Sequence, residues 1–355
     1  KEAEVSTRRA IELNPNFALA HSNLGIILQD LGKLHEAEVS THKAIQLDPD
    51  FGLAHSNLAS ILHDLGKLKE AEVSTRKAIK LDPNYANAHC NLGNILIDLG
   101  KLQEAEVSIL KAIELDPDLA IAFYSLSKLK ISNENTIWRD QLFSKNLLNN
   151  QLEKDQVNIY FARANILHSE SNFKDSAKYL ELANNLKQNL NSFNIKSLLN
   201  QSKKLLFESI KENINKNEQT NIPCSIFIVG MPRSGSTLIE SILSMNKSVV
   251  DLGEKNIFEE SFLNWKTAPQ RSTLTELYLN KTNTYGNELN TTTNKWLYNY
   301  QYAGIISQHI PNAKIIHCYR NPLDNILSIY RAHFWRVNQY SSSLVDCAKV
   351  YLDQE

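Results

Sequence analysis

Ser225-Ile-Phe-Ile-Val-Gly-Met-Pro-Arg-Ser-Gly-Ser-Thr-Leu-Ile-Glu-Ser-Ile-Leu243 divides the chain into two architectures. After Ser225 its opening is a short apolar run rich in β-branched residues, Ile226-Phe-Ile-Val229, which predicts a buried parallel strand. Leu238–Leu243 reads as a helix. Between them, Gly230 and Gly235 let backbone N–H groups approach an anion, and the helix N-terminus adds a favourable dipole. A nucleoside-triphosphate loop would carry Lys-Ser/Thr after its second glycine. Here Ser236-Thr237 follows Gly235, and the cation is Arg233, inside the loop. Downstream, Lys314-Ile-Ile-His-Cys-Tyr319 predicts a second buried strand, then Arg320 and a helix from about Pro322 to Val337. Strand, loop and helix, given twice, predict an α/β domain with a doubly wound parallel sheet. An NTPase would often place an acidic magnesium ligand where Arg320 stands. Two arginines without an evident metal ligand suit a doubly phosphorylated nucleotide held without metal.

Upstream, the chain repeats itself. Ala20-His-Ser-Asn-Leu-Gly returns at Ala54 and Ala88, and prolines recur at Pro15, Pro49, Pro83 and Pro117, both at intervals of 34 residues. Leu24, Ile27, Leu28 and Leu31 form a helical stripe that Gly32 ends. A second helix runs from Leu34 to Asp48-Pro49, where proline stops it. This is the tetratricopeptide pattern. A half copy opens the chain at residues 1–17, and three full copies follow. Residues 120–153 lose the glycine and proline, and 157–190 keep a faint copy through Ala164, Leu167, Phe173 and Ala183. An apolar stripe from Phe193 to Ile210 predicts a helix that closes the solenoid, which needs a cap. Lys211–Pro223 reads as a polar linker. The expected domains are therefore a repeat array at 1–190, a capping helix and linker at 191–222, and a second domain at 223–355.

Composition narrows the class. The chain is 42% hydrophobic and 22% charged, with net charge −1 and no basic tail, which argues against a nucleic-acid partner. No apolar run reaches the ~18 residues of a membrane span. Cys90, Cys224, Cys318 and Cys347 lack metal or redox spacing and read as reduced, buried thiols, so a cytoplasmic setting is expected. No metal site is expected. The chain begins inside a repeat without Met and stops inside a helical pattern, so it is expected to be a fragment.

Residues 228–243, together with Ile315-Ile-His-Cys-Tyr-Arg-Asn-Pro-Leu-Asp-Asn-Ile-Leu-Ser328, resemble the sulfotransferase superfamily. They look like its 5′-phosphosulfate loop and its 3′-phosphate strand and helix. The resemblance is nearest to bacterial repeat-fused sulfotransferases related to protein-tyrosine sulfotransferases. It implies 3′-phosphoadenosine 5′-phosphosulfate (PAPS) as sulfuryl donor. Arg233, Ser234, Gly235, Ser236 and Thr237 would bind its 5′-phosphosulfate, and Arg320 and Ser328 its 3′-phosphate. Asp251-Leu-Gly-Glu254 falls where the relatives place a Gly-Glu general base, which assigns Glu254. Asn294-Lys295-Trp-Leu-Tyr-Asn299 resembles the family's Lys-Met-Pro-x-Asn segment, so Lys295 joins Arg233 and Glu254 as a catalytic residue; Trp296 and Leu297 depart from that pattern. The family's catalytic domain is about twice as long as residues 223–355, so this segment would be its N-terminal part, binding donor weakly on its own.

The acceptor would be a hydroxyl, with protein tyrosine as a candidate, recruited through the repeats. Ala-His-Ser-Asn-Leu is similar to the repeats of the O-linked GlcNAc transferase, whose asparagines hold peptide backbone. Asn23, Asn57 and Asn91 are thereby candidates for a peptide groove, against the plainer reading of inter-repeat hydrogen bonds. His21, His55 and His89 occupy one repeat position and read as packing. Asp324 and Asn325 read as helix-orienting, and His317 as a core histidine. Two other functions compete: a P-loop kinase, which lacks its lysine and acidic ligand, and a repeat scaffold with an inactive transferase portion.

Overall fold

The structure, a computed structural model, describes residues 2–129, 137–149, 151–191, 193–211, 223–267, 272–285, 291–334 and 338–355. It falls into two compact units, Lys1–Leu190 and Asn191–Glu355.

The first unit is a helical solenoid. Its helices are α1 (Glu2–Leu13), α2 (Ala18–Asp30), α3 (Leu34–Leu47), α4 (Gly52–Asp64), α5 (Leu68–Leu81), α6 (Ala86–Asp98), α7 (Leu102–Leu115), α8 (Ala120–Leu126), α9 (Ile137–Phe143), α10 (Asn146–Asn149), α11 (Glu153–Ser169) and α12 (Phe173–Leu190). Gly32, Gly66 and Gly100 sit at φ +75° and end α2, α4 and α6. In the first of these ends, Lys33 N–H donates to the Leu28 carbonyl and Gly32 N–H to that of Gln29, the αL closure that glycine favours. The faint copy closes α11 the same way with Ser171 at φ +61°, so the turn outlasts the glycine that announces it.

Repeats are stitched by periodic contacts. Lys33, Lys67 and Lys101 pair with Glu4, Glu38 and Glu72, each 29 residues earlier. His21, His55 and His89 each bring Nε2 within 2.9–3.0 Å of the carbonyl of Pro15, Pro49 or Pro83, which is a packing role. Gly25 and Gly93 lie where helices touch. A Cβ on Gly93 would lie 2.3 Å from Ile109 Cγ1.

The second unit contains α13 (Ile195–Lys211), β1 (Ser225–Gly230), α14 (Ser236–Leu243), β2 (Val249–Asp251), α15 (Ile257–Thr267), α16 (Leu274–Thr282), β3 (Thr291–Asn294), α17 (Ala303–His309), β4 (Ala313–Cys318), α18 (Pro322–Tyr330) and α19 (Leu344–Gln354). Short 3₁₀ turns cover Leu297–Tyr302 and Gln339–Ser342. The sheet is parallel throughout, in the order β2-β3-β1-β4. One core packs Phe227 of β1 against Phe258, Phe262, Tyr278 and Tyr302.

Several expectations are corrected here. The helix expected to close the repeats, α13, belongs to the second unit, with Leu205 buried in that core. An amphipathic stripe demands an apolar partner without naming it. Of the linker expected at Lys211–Pro223, residues 212–222 lie outside the described residues, and Lys211 ends α13. β4 is not buried: it is one of the two outer strands among the described residues, and Lys314, Ile315 and His317 are exposed, so His317 is no core histidine. A short apolar run does not distinguish a central strand from an edge. The helix begun at Pro322 ends at Tyr330 rather than Val337. Cys224 is half-buried, unlike Cys90, Cys318 and Cys347.

Candidate functional site

In an open parallel sheet, ligands bind beyond the carboxyl ends of the strands. The four residues singled out as Arg233, Glu254, Lys295 and Arg320 each follow one strand at that end. β1 closes at Gly230, three residues before Arg233, and β2 at Asp251, three before Glu254. β3 closes at Asn294, next to Lys295, and β4 at Cys318, two before Arg320.

The phosphate loop is built by close approach. Gly230 has φ +141°, and a Cβ there would meet the Cys318 carbonyl oxygen at 2.4 Å. Only glycine allows β1 and β4 to end so near one another. Arg233 adopts φ +67°, a left-handed conformation costly for a side-chain-bearing residue and concentrated at functional turns. Gly235, at φ +102°, leads into α14.

The β4–α18 segment clasps this loop. Arg320 Nη1 donates to the Arg233 carbonyl at 3.2 Å. Asn325, fully buried, donates from Nδ2 to the Pro232 carbonyl at 3.0 Å. Arg233 Nε donates to Ser328 Oγ at 3.4 Å. The α18 N-cap is Asn321, whose side chain accepts from Leu323 and Asp324 N–H, so the orienting role expected of Asn325 is exercised on the loop and the capping role belongs to Asn321. Tyr351 OH donates to the Arg320 carbonyl at 3.1 Å.

The site suits an anion. Among the described residues neither Arg233 nor Arg320 has a carboxylate partner, and both are exposed. Among the described residues Ser234 Oγ is buried without a hydrogen-bond partner, close to Arg320 and Asn325. Ser236 is buried and Thr237 exposed at the start of α14.

At β2 and β3 the second half of the site is a charge pair. Lys295 Nζ lies 2.6 Å from Glu254 Oε1. The lysine is 8% exposed, whereas the glutamate side chain is 55% exposed. Lys295 N–H donates to the Gly253 carbonyl at 2.9 Å, which fixes the two strand ends together. Sequence reasoning missed Glu240 of α14. It is buried beside this pair, accepts from Thr293 Oγ1 at 3.1 Å, and lies 4.0 Å from Lys295 Nζ. Burial pushes its carboxyl above the usual range, with nearby Lys295 opposing. Only tertiary contacts distinguish it from an ordinary helix glutamate. β2 and β3 were also missed; the β-branched run Thr291-Thr-Thr was the available signal.

In the repeats, Asn57 Nδ2 donates to Ser22 Oγ at 2.9 Å and Asn91 Nδ2 to Ser56 Oγ at 3.4 Å. These are the plainer inter-repeat bonds, made with one side of each amide, while Asn23 is exposed. A pocket of about 230 Å³ is lined in part by Asn91, His63, Asp98 and Lys128.

Comparison with known proteins follows the same division. Residues 223–354 match the sulfotransferase family. Residues 18–51 and 86–119 match the tetratricopeptide repeat, and 59–100 match the TPR repeat. An uncharacterized protein of Aquifex aeolicus (strain VF5) is 30% identical over 129 residues, 31% of this chain and 17% of the relative, so the chain spans a small part of that relative's length. Among solved structures, MamA is similar at 24% identity and TM-score 0.33, over 39% of this chain and 79% of its own. YrrB, titled a TPR protein with an unusual peptide-binding site, is similar at 19% identity and TM-score 0.36, over 51% of this chain and 91% of its own. Repeats at the N-terminal side and an anion loop clasped by a strand-end arginine thus have one common account: the chain is a tetratricopeptide-repeat protein carrying a domain of the sulfotransferase family.

Proposed function

We propose that the protein transfers a sulfuryl group from PAPS to a hydroxyl, with a polypeptide tyrosine as the favoured acceptor and the repeats as its recruiting surface. The observation that carries this reading is the row of strand ends, where an arginine within the anion loop and another beside it, neither with a carboxylate partner among the described residues, are joined by a Lys–Glu pair. PAPS supplies an activated sulfur whose leaving group is adenosine 3′,5′-bisphosphate.

Arg233, Ser234, Gly235, Ser236 and Thr237 bind the 5′-phosphosulfate end. Arg320 and Ser328 bind the 3′-phosphate, a task suited to the planar donor fork of arginine. Lys295 neutralises charge on the sulfuryl oxygens. Glu254 accepts the acceptor hydroxyl's proton. Rate comes from positioning and fixed donors, as in phosphoryl transfer. On the repeats, the Asn57 and Asn91 amides keep a carbonyl free to accept from a peptide N–H, and Asn23 offers its whole amide.

The test incubates the full-length protein with labelled PAPS and a panel of tyrosine peptides, carbohydrates and small alcohols. Label transfer that disappears in Arg233→Ala supports the reading. Magnesium-dependent preference for ATP would replace it with a kinase. Failure to bind any nucleotide would leave a repeat scaffold with an inactive transferase portion.

A further inference from the structure

Glu240 is the buried acid to which the sulfuryl-transfer reading gives no task. It lies on α14, just beyond the phosphate loop, and is 5% exposed. Carboxylates are rarely buried so far unless they are paired and hydrogen-bonded. Its Oε1 accepts from Thr293 Oγ1 on β3. Its Oε2 faces Lys295 Nζ at 4.0 Å. One side chain on the loop's own helix is thus tied to β3 and faces the lysine that follows it. Asp251 is the other charged group that acts on it.

Lys295 therefore stands between two carboxylates of opposite character. Glu254 is exposed and in contact at 2.6 Å, and Glu240 is buried and slightly farther away. A general base needs a lone pair free for the incoming proton. Lys295 occupies one oxygen of Glu254 and leaves the other for the proton; on the function proposed above, the ammonium is drawn off Glu254 toward the sulfuryl oxygens as charge develops there. A nearly buried cation that loses its only partner is strongly disfavoured.

We propose that Glu240 is a positioning residue: it anchors Lys295 beside the phosphate loop and keeps the ammonium compensated when Lys295 leaves Glu254. This rests on the function proposed above. In that step the acceptor O–H proton passes to Glu254, the acceptor oxygen bonds to sulfur, and the sulfur–oxygen bond to the nucleotide phosphate breaks. Glu240 exchanges no proton and touches no substrate.

The experiment has two arms. In the first, the protein without nucleotide is treated with trinitrobenzenesulfonate, and labelling of Lys295 is followed by peptide mass spectrometry. Glu240→Gln keeps the shape and an acceptor for Thr293 but removes the charge. Lys295 is expected to be labelled several-fold faster in this variant, because a side chain that loses its contact with the Glu240 carboxylate is held less firmly in its buried place and meets the reagent more often. Glu240→Asp, which keeps the charge, is expected to restore much of the wild-type rate. In the second arm, with PAPS and an acceptor, kcat of Glu240→Gln is expected to fall roughly 10-fold while the KM for PAPS stays within about twofold, because the anchor matters most in the transition state. If Glu240→Gln does not fold, Thr293→Val frees the same carboxyl and is expected to act in the same direction. Unchanged Lys295 labelling in a folded variant overturns the proposal whatever the turnover. Faster labelling in a protein that shows no sulfuryl transfer supports the anchoring of Lys295 and removes the function on which its catalytic meaning rests.

Discussion

Arg320 donates to the backbone carbonyl of Arg233 at 3.2 Å, so one candidate phosphate ligand holds in place the loop that presents the other. Arg320→Ala removes a guanidinium donor and loosens the loop together. A hydrogen bond to a charged group contributes about 1.5–3 kcal/mol, so affinity for adenosine 3′,5′-bisphosphate should fall roughly 10- to 100-fold by calorimetry. Arg320→Lys should recover only part of it, because lysine lacks the planar fork. Equal affinity in wild type and Arg320→Ala would show that the arginine serves the loop's shape alone.

Glu254→Gln keeps an oxygen for Lys295 and removes the proton acceptor. A general base contributes typically ~10²–10⁴-fold, so kcat should fall by that order with nucleotide affinity preserved. Initial rates at saturating PAPS decide the matter. A loss confined to KM would reassign Glu254 to acceptor binding.

The repeats contain their own control for close packing. Ala59 is fully buried at the position that Gly25 and Gly93 occupy one repeat away on either side. Thr75 stands one repeat before Ile109. Gly93→Ala would crowd Ile109, and overpacking of this kind costs typically about 1–3 kcal/mol. The double variant Gly93→Ala/Ile109→Thr should regain most of that stability, since contacting sites are not additive. Denaturant unfolding of the four proteins in the cycle measures the coupling, and strict additivity would refute it.

His63 Nε2 lies 2.7 Å from Asp98 Oδ2, linking consecutive repeats. The hydrogen bond to Asp98 raises the histidine's pKa, against desolvation, and the same bond lowers that of Asp98. The histidine share of stability is complete below its unfolded value, near pH 6.5, and fades as pH rises through the raised folded value. The aspartate share is present above its unfolded value, near pH 3.9, and fades as pH falls through the lowered one. With His63 30% and Asp98 51% exposed, solvent screening keeps the pair below about 1 kcal/mol. His63→Gln should therefore lower the melting temperature more at pH 5.5 than at pH 8.5. A gap that widens with pH would reverse the assignment.

The repeats were legible because one physical demand, helix packed on helix, recurs every 34 residues and leaves Gly32, Gly66 and Gly100 as punctuation. β1 and its loop were legible because the sequence there switches from β-branched residues to glycines within a few positions. Periodicity fades where contacts are unique. The stripe of α13 says that it packs but not on which unit, and Ile315-Ile316 looks the same at a sheet edge as in a sheet centre. Glu240, Asn325 and the Glu254–Lys295 pair acquire meaning only when α14, α18 and the ends of β2 and β3 converge.

The lysine–glutamate bonds set at a constant 29-residue offset carry an evolutionary consequence. The three joints that carry it use the same two sockets, so duplicating or deleting one of these modules yields a junction that already fits. Such an arm can change its reach in steps of one module, without new complementarity arising at any seam.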